Sequence, residues 1–410
     1  MKIISPKWII TCDDDVTILQ NHSIVFYDKI IEIAQTDLLI AKYPNITKIE
    51  IPQNSVMMPG LINPHIHFEF SKNKSTLEYG SFIGWLNSVI ANREQLIENL
   101  TKDDLKAILH DLLINGTTSV GAISSYGFDL EALCEAEQNV VFFPEVLGSR
   151  PDMVDALYAD FFARFQGAKE LQNERFKPGI AIHSPYSTHP VIIKKALALA
   201  KEEDCVVQAH FMESPEEKNW LEKSKGGFVP FFENFLNQKK PLGSPEDFLN
   251  LFENCNKISF THCAEASKTQ LQMIEHLGAN IIHCPVSNRL LNNNKLNLKN
   301  CKNINVALAT DGLSSNVSLD LFDELKSALM IHADQNLNEL SKKLLYYATA
   351  ASAKVLDFQK GKIEPQFDAD FLIFDFQDIQ INEQNIATNI ILHHKKPTKI
   401  FIGGKHVGYN

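Results

Sequence analysis

The chain has 410 residues, 44% of them hydrophobic, and a formal charge of −11 at pH 7. That length suits one large catalytic domain with a smaller unit attached, and the composition is that of an ordinary soluble globular protein. The acidic balance argues against a nucleic-acid backbone or an anionic membrane as the main partner.

The first residues, "MKIISPKWIITCDDDVTIL", alternate in strand-like fashion and soon meet three aspartates, which is not a secretory signal. No apolar run approaches the length of a membrane span. Seven cysteines (12, 134, 205, 255, 263, 284, 301) are scattered and lack CxxC spacing, so they read as reduced thiols in a cytoplasmic protein. Residues 1–57 read as short strands and turns, in "KIISPKWIIT", "SIVFYDKIIEI" and "ITKIEIPQNSVMMPG". Residues 358–410 have the same texture, in "ADFLIFDF" and "PTKIFIGGKHVGYN". Both ends are therefore expected to contribute to one small β-sandwich domain.

Residues 58–357 alternate between strand-like and helix-like runs. After the strand leading to His65, apolar stretches rich in β-branched residues recur near 117–122, 140–147, 179–183, 205–210, 258–263, 280–284 and 306–311. Helix-like segments such as "PVIIKKALALAKEED" and "KTQLQMIEHLGA" lie between them. Strand–helix alternation repeated eight times predicts a (β/α)8 TIM barrel, whose chemistry gathers at the C-terminal strand ends. Those ends carry His65 and His67, Ser124 and Ser125, Glu145, His183, His210, His262, the stretch 284–288, and Asp311.

In "PGLINPHIHFEFS", His65 and His67 stand two residues apart on a strand, so their side chains point the same way. They could share a metal ion or be half-buried polar residues. With His210 and Asp311 they make a set of three nitrogens and one oxygen that suits one divalent ion, Zn²⁺ or Fe²⁺. The alternative reading of Asp311 is a helix N-cap or an Asx-turn before Gly312. "HFMES" places Glu213 three residues after His210. A carboxyl group there can shuttle a proton between an attacking water, a ring nitrogen and a departing ammonia. His262, in "FTHC", could orient the water, and His183, in "IHSPYS", could reach a substrate ring.

The ordered set PGLINPHIH, HSPYS, HFMES, THC, HCPVSN and TDGLSSN resembles the amidohydrolase superfamily. It is most similar to the mononuclear-metal branch of adenosine-type, guanine and cytosine deaminases and chlorohydrolases. The resemblance spans nearly the whole chain. It implies that His65, His67, His210 and Asp311 bind one metal, that Glu213 moves protons, and that His262 positions water. His183 stands where two-metal members carry a carboxylated lysine, which again implies a single ion.

"HFEFS", "YGSFIGWLNSV", "SVGAISS", "SNRLL" and "TDGLSSN" resemble the aminofutalosine deaminases of epsilon-class proteobacteria. That resemblance implies hydrolytic removal of the 6-amino group of 6-amino-6-deoxyfutalosine, a step of the futalosine route to menaquinone. It further implies a nucleoside pocket with Trp85 as a wall and Glu94 or Glu69 on the ribose hydroxyls. Arg289 or Arg150 would meet the benzoate of this substrate, and Ser287 and Asn288 would add polar contacts. Methylthioadenosine, S-adenosylhomocysteine, guanine or a chlorinated triazine are alternative substrates, and a metal-binding barrel without activity is an alternative of another class. A small-molecule nucleoside is the expected partner, with neither nucleic acid nor membrane, in a chain compatible with a homodimer.

Overall fold

The middle of the chain forms eight parallel strands: β1 (Leu61–His67), β2 (Thr117–Ser124), β3 (Asn139–Val146), β4 (Ile180–Ile182), β5 (Val207–Phe211), β6 (Ile258–His262), β7 (Asn280–His283) and β8 (Val306–Leu308). The computed structural model describes residues 1–408. Neighbours in sequence are neighbours in the sheet throughout. Hydrogen bonds from the Asp311 N–H to the His65 carbonyl (3.2 Å) and from Asn63 Nδ2 to Thr310 Oγ1 (2.7 Å) join the β8 end to β1. The result is the expected (β/α)8 barrel.

Helices cover the outside of the barrel, so β2 and β3 are buried along their whole length and read as continuous apolar runs. β4 is shorter than its apolar run, because a separate strand, Phe176–Pro178, pairs with the start of β3. β1 and β2 approach closely at Gly121, where a Cβ would lie 2.2 Å from the Pro64 carbonyl oxygen. Opposite that point the β1–β2 register shifts between Asn63 and Ile66, which bends β1 just before its histidines.

Five helices frame the C-terminal mouth: α1 (Phe82–Glu98), α2 (Pro215–Lys223), α3 (Phe228–Leu236), α4 (Pro285–Leu290) and α5 (Leu321–Ile331). α2 starts abruptly after Glu213, because Ser214 Oγ accepts the Glu217 N–H (3.1 Å) and Pro215 takes the first helical position.

The termini form two sheets, of four and six strands. In the larger one Phe371–Asp375 pairs antiparallel with Ser55–Pro59, so the two ends of the chain share a sheet. Phe26, Phe371 and Phe401 pack together between the sheets, with ring centroids 4.6–5.7 Å apart. Ser55–Pro59 leads directly into β1. A common core of Trp8, Val56, Leu308, Leu325, Leu344 and Phe374 then fuses this small β domain to the barrel. All seven cysteines are unpaired. Among the described residues no helix is long and apolar enough to cross a membrane.

Candidate active site

His65, His67 and His210 each bring a ring nitrogen to within 4.8 Å of the others at the β1 and β5 ends. Their tautomers follow from the hydrogen bonds behind them. Gln208 donates its amide N–H to the Pro64 carbonyl (2.7 Å), so its oxygen faces His65 and accepts the Nδ1–H (2.9 Å). His210 Nδ1–H donates to the His183 carbonyl (2.8 Å). Both rings therefore present a bare Nε2 to the centre. That of His65 is buried and meets no protein partner. Burial, with the His67 ring nearby, pushes His65 down to about 3 and holds it neutral, as a metal ligand must be.

Asp311 adds the oxygen. Its Oδ1 lies 3.6 Å from His67 Nε2 and 4.0 Å from His65 Nε2. Oδ2 accepts the hydroxyls of Ser287 (2.8 Å) and Ser315 (2.9 Å), and Oδ1 accepts the Gly312 N–H (2.8 Å). Burial opposes its charge, but His67, His262 and His65 hold it ionised, at about 2. The turn has φ +61° at Asp311, and Gly312 is obligatory there, since a Cβ would lie 2.8 Å from that of His67. Two neutral histidines with bare Nε2 atoms, His65 and His210, beside the His67 ring and an ionised carboxylate fit one divalent cation.

A second grouping, of Glu145, His183 and His210, lies beside it. His210 Nδ1 is already bonded to a carbonyl, so His210 has a single nitrogen to offer. This favours one ion over two.

Glu213 and His262 form a separate pair. Glu213 Oε1 is 3.7 Å from His262 Nε2, which is 3.9 Å from Asp311 Oδ2. His262 Nδ1–H donates to Asn288 Oδ1 (2.9 Å), leaving Nε2 bare toward the site. Burial, reinforced by Asp311 and Glu217, raises the Glu213 carboxyl well above its ordinary range, whereas burial lowers His262. A carboxyl group that favours its protonated form thus stands beside an imidazole that favours its neutral form. The buried Glu217 carboxylate accepts the N–H groups of Met212 (3.1 Å) and Glu213 (2.8 Å) and fixes the turn, in which Met212 has φ +48°.

Above these groups opens a cavity of about 570 Å³ that also reaches His183. His183 Nδ1 is 2.6 Å from Ser187 Oγ. The walls are largely apolar: Trp85, Leu86, Val89 and Ile90 from α1, and Phe231, Phe232 and Phe235 from α3. The Trp85 indole N–H is tied to the Ser314 carbonyl (2.9 Å), close to Asp311 in the chain.

The amidohydrolase family model matches residues 56–407. This chain belongs to the amidohydrolase family. It is similar to an aminodeoxyfutalosine deaminase of a Nitratiruptor species, at 44% identity over 99% of each chain. It is 38% identical to an adenosine deaminase of Helicobacter pylori, again over 99% of each. A crystal structure of Helicobacter pylori aminofutalosine deaminase with methylthio-coformycin superposes with a TM-score of 0.93 at 36% identity. The match covers 99% of this chain and all of the other.

Within this amidohydrolase barrel several expected substrate contacts are placed elsewhere. The buried Glu69 carboxylate turns away from the cavity and accepts backbone N–H groups of Ser125 (2.7 Å), Tyr126 (3.0 Å) and Gly127 (2.9 Å). It organises the loop after β2 and is not among the cavity-lining residues. Glu94 is exposed and off the cavity. Nine residues place it half a helical turn round from Trp85, whereas Arg93 falls on the cavity face. Arg289 is exposed on α4 and points elsewhere. Ser287 and Asn288 hold Asp311 and His262 and do not line the cavity. Arg150 does line it, but its guanidinium is bonded to Asp152.

Three positions escaped the sequence reading. Arg93 was concealed by the choice of Glu94, although the helical period pointed to it. Glu145 was visible only as a strand end; Ser125 Oγ donates to its Oε2 (2.5 Å), while Oε1 is buried without a partner. Glu324 of α5 accepts the Val286 N–H (2.9 Å) and an Asn316 amide N–H (2.9 Å), clamping the start of α4 to the loop after Asp311.

The reassignment of Glu69 gives a direct expectation. Glu69→Leu strands three backbone donors, each costing about 1–3 kcal/mol when buried and unpaired. A urea titration is expected to show a loss of about 3 kcal/mol or more. A variant as stable as the parent would return Glu69 to the set of substrate contacts.

Proposed function

We propose that this amidohydrolase is a hydrolytic deaminase of an adenine nucleoside, and that its substrate is 6-amino-6-deoxyfutalosine, released as futalosine and ammonia. The observation that carries the reading is the buried Glu213, 3.7 Å from a neutral His262, beside a histidine–aspartate cluster at the barrel mouth. The end-to-end similarity to the Nitratiruptor deaminase supports the choice of substrate.

His65, His67, His210 and Asp311 would hold one divalent ion, Zn²⁺ or Fe²⁺, which when bound lowers the pKa of water to about 7 and supplies the nucleophile. Glu213 would accept a proton from the attacking water and deliver it to the purine ring nitrogen next to the reacting carbon. His262, oriented by Asn288, steadies the water through its bare Nε2. As the carbon–nitrogen bond breaks, Glu213 relays a proton to the leaving amine, so that water in and ammonia out balance. His183 reaches the purine from the β4 end. The apolar walls exclude bulk water from the reacting carbon.

Adenosine is the second reading, favoured by the name of the Helicobacter relative. Ammonia release from aminodeoxyfutalosine, adenosine, methylthioadenosine and guanine separates the two. The proposal expects the highest kcat/KM for aminodeoxyfutalosine. Equal or better turnover of adenosine would overturn the choice of substrate.

A further inference from the structure

Charge is unevenly distributed around the cavity. The strand-end floor carries Glu145, Glu213 and Asp311 among its histidines, and the cations Arg93 and Arg150 stand on α1 and on the loop after β3. Arg150 is already neutralised: its Nε is 3.1 Å from Asp152 Oδ1, its Nη2 bonds Oδ2, and both side chains are more than half exposed. Arg93 is different. It lies near the Tyr126 phenol, a neutral group, and among the described residues no carboxylate lies within 4.0 Å of its guanidinium. A half-buried guanidinium facing an apolar cavity without a counter-charge is poised for an anion from the ligand.

α1 also sets a distance. Trp85 is fastened at the metal-cluster end through Ser314, and Leu86, Val89 and Ile90 continue the cavity face up to Arg93. Eight residues of helix separate Trp85 from Arg93, a rise of about 12 Å. The wall therefore reads, in order, as an aromatic surface, an apolar belt and a cation.

We propose that Arg93 forms an anion subsite that takes a carboxylate at the end of the substrate remote from the reacting ring, across an apolar spacer. The inference rests on the deaminase reading above and names the part of the substrate that the wall selects. The planar guanidinium can meet a carboxylate in two parallel hydrogen bonds.

The test uses one nucleoside in two forms, aminodeoxyfutalosine and its methyl ester, with the metal-loaded enzyme and its Arg93→Met and Arg93→Lys variants. In the parent the ratio of kcat/KM for acid over ester is expected to be about 10–150, the worth of one charge-assisted hydrogen-bonded pair. Arg93→Met is expected to bring that ratio close to one, through KM of the acid and not kcat. Arg93→Lys, a point charge without the fork, is expected to recover part of it. A ratio that Arg93→Met leaves unchanged overturns the subsite while the deaminase reading stands. A parent enzyme that releases ammonia from neither form overturns the deaminase reading itself.

Discussion

Glu213→Gln is expected to lower kcat by about 10²–10⁴-fold, the range for loss of a general acid–base group, while metal content and the fold stay as in the parent. The substitution keeps the shape of a buried side chain whose backbone N–H is already fixed by Glu217. It removes only the ability to accept a proton from water and to pass it on. Burial raises the Glu213 carboxyl well above its ordinary range, which favours the proton-bearing form that a general acid needs. His262 cannot substitute, since its Nδ1–H is committed to Asn288 and burial disfavours its charged form. Single-turnover ammonia release with elemental analysis of the same sample checks both halves. Near-normal turnover by the Gln variant would remove Glu213 from the chemistry.

His67→Ala is expected to lose metal and activity together. The His67 ring lies on the cavity wall with its Nε2 3.6 Å from Asp311, and its side chain is 14% exposed, so truncation opens no hole in the core. The thermal transition of the metal-free protein is therefore expected to stay close to that of the metal-free parent. What remains, two histidines and one carboxylate, is a poorer site for a four-coordinate ion. A variant that keeps a full equivalent of metal after dialysis, and turns over, would exclude His67 from the ligand set.

The barrel and its histidine–aspartate cluster were legible in the sequence for a shared reason. Strand–helix alternation fixes where the strands end, and side chains at strand ends can only converge on one mouth. The cavity walls were not legible, because they come from helix faces and loops whose direction is set by tertiary packing. Glu94 illustrates this on α1: its distance in sequence from Trp85 suggested proximity, but the helical period turned it to solvent and turned Arg93 inward. Glu69 failed for another reason. Its fate depends on a run of backbone N–H groups at 125–127, far away in sequence, that needed an acceptor. Ser287 and Asn288 lie in a motif next to the site, yet the short helix α4 aims them at Asp311 and His262, so they brace those side chains and do not line the cavity.

The most direct test of the account is a metal titration followed by activity. Chelated, metal-free protein is mixed with increasing Zn²⁺ or Fe²⁺, and ammonia release from aminodeoxyfutalosine is recorded at each step. The account predicts no turnover without metal, a linear rise, and a sharp plateau at about one equivalent per chain, the stoichiometry of a single four-ligand site. A plateau at two equivalents, or full activity in the chelated protein, would contradict it.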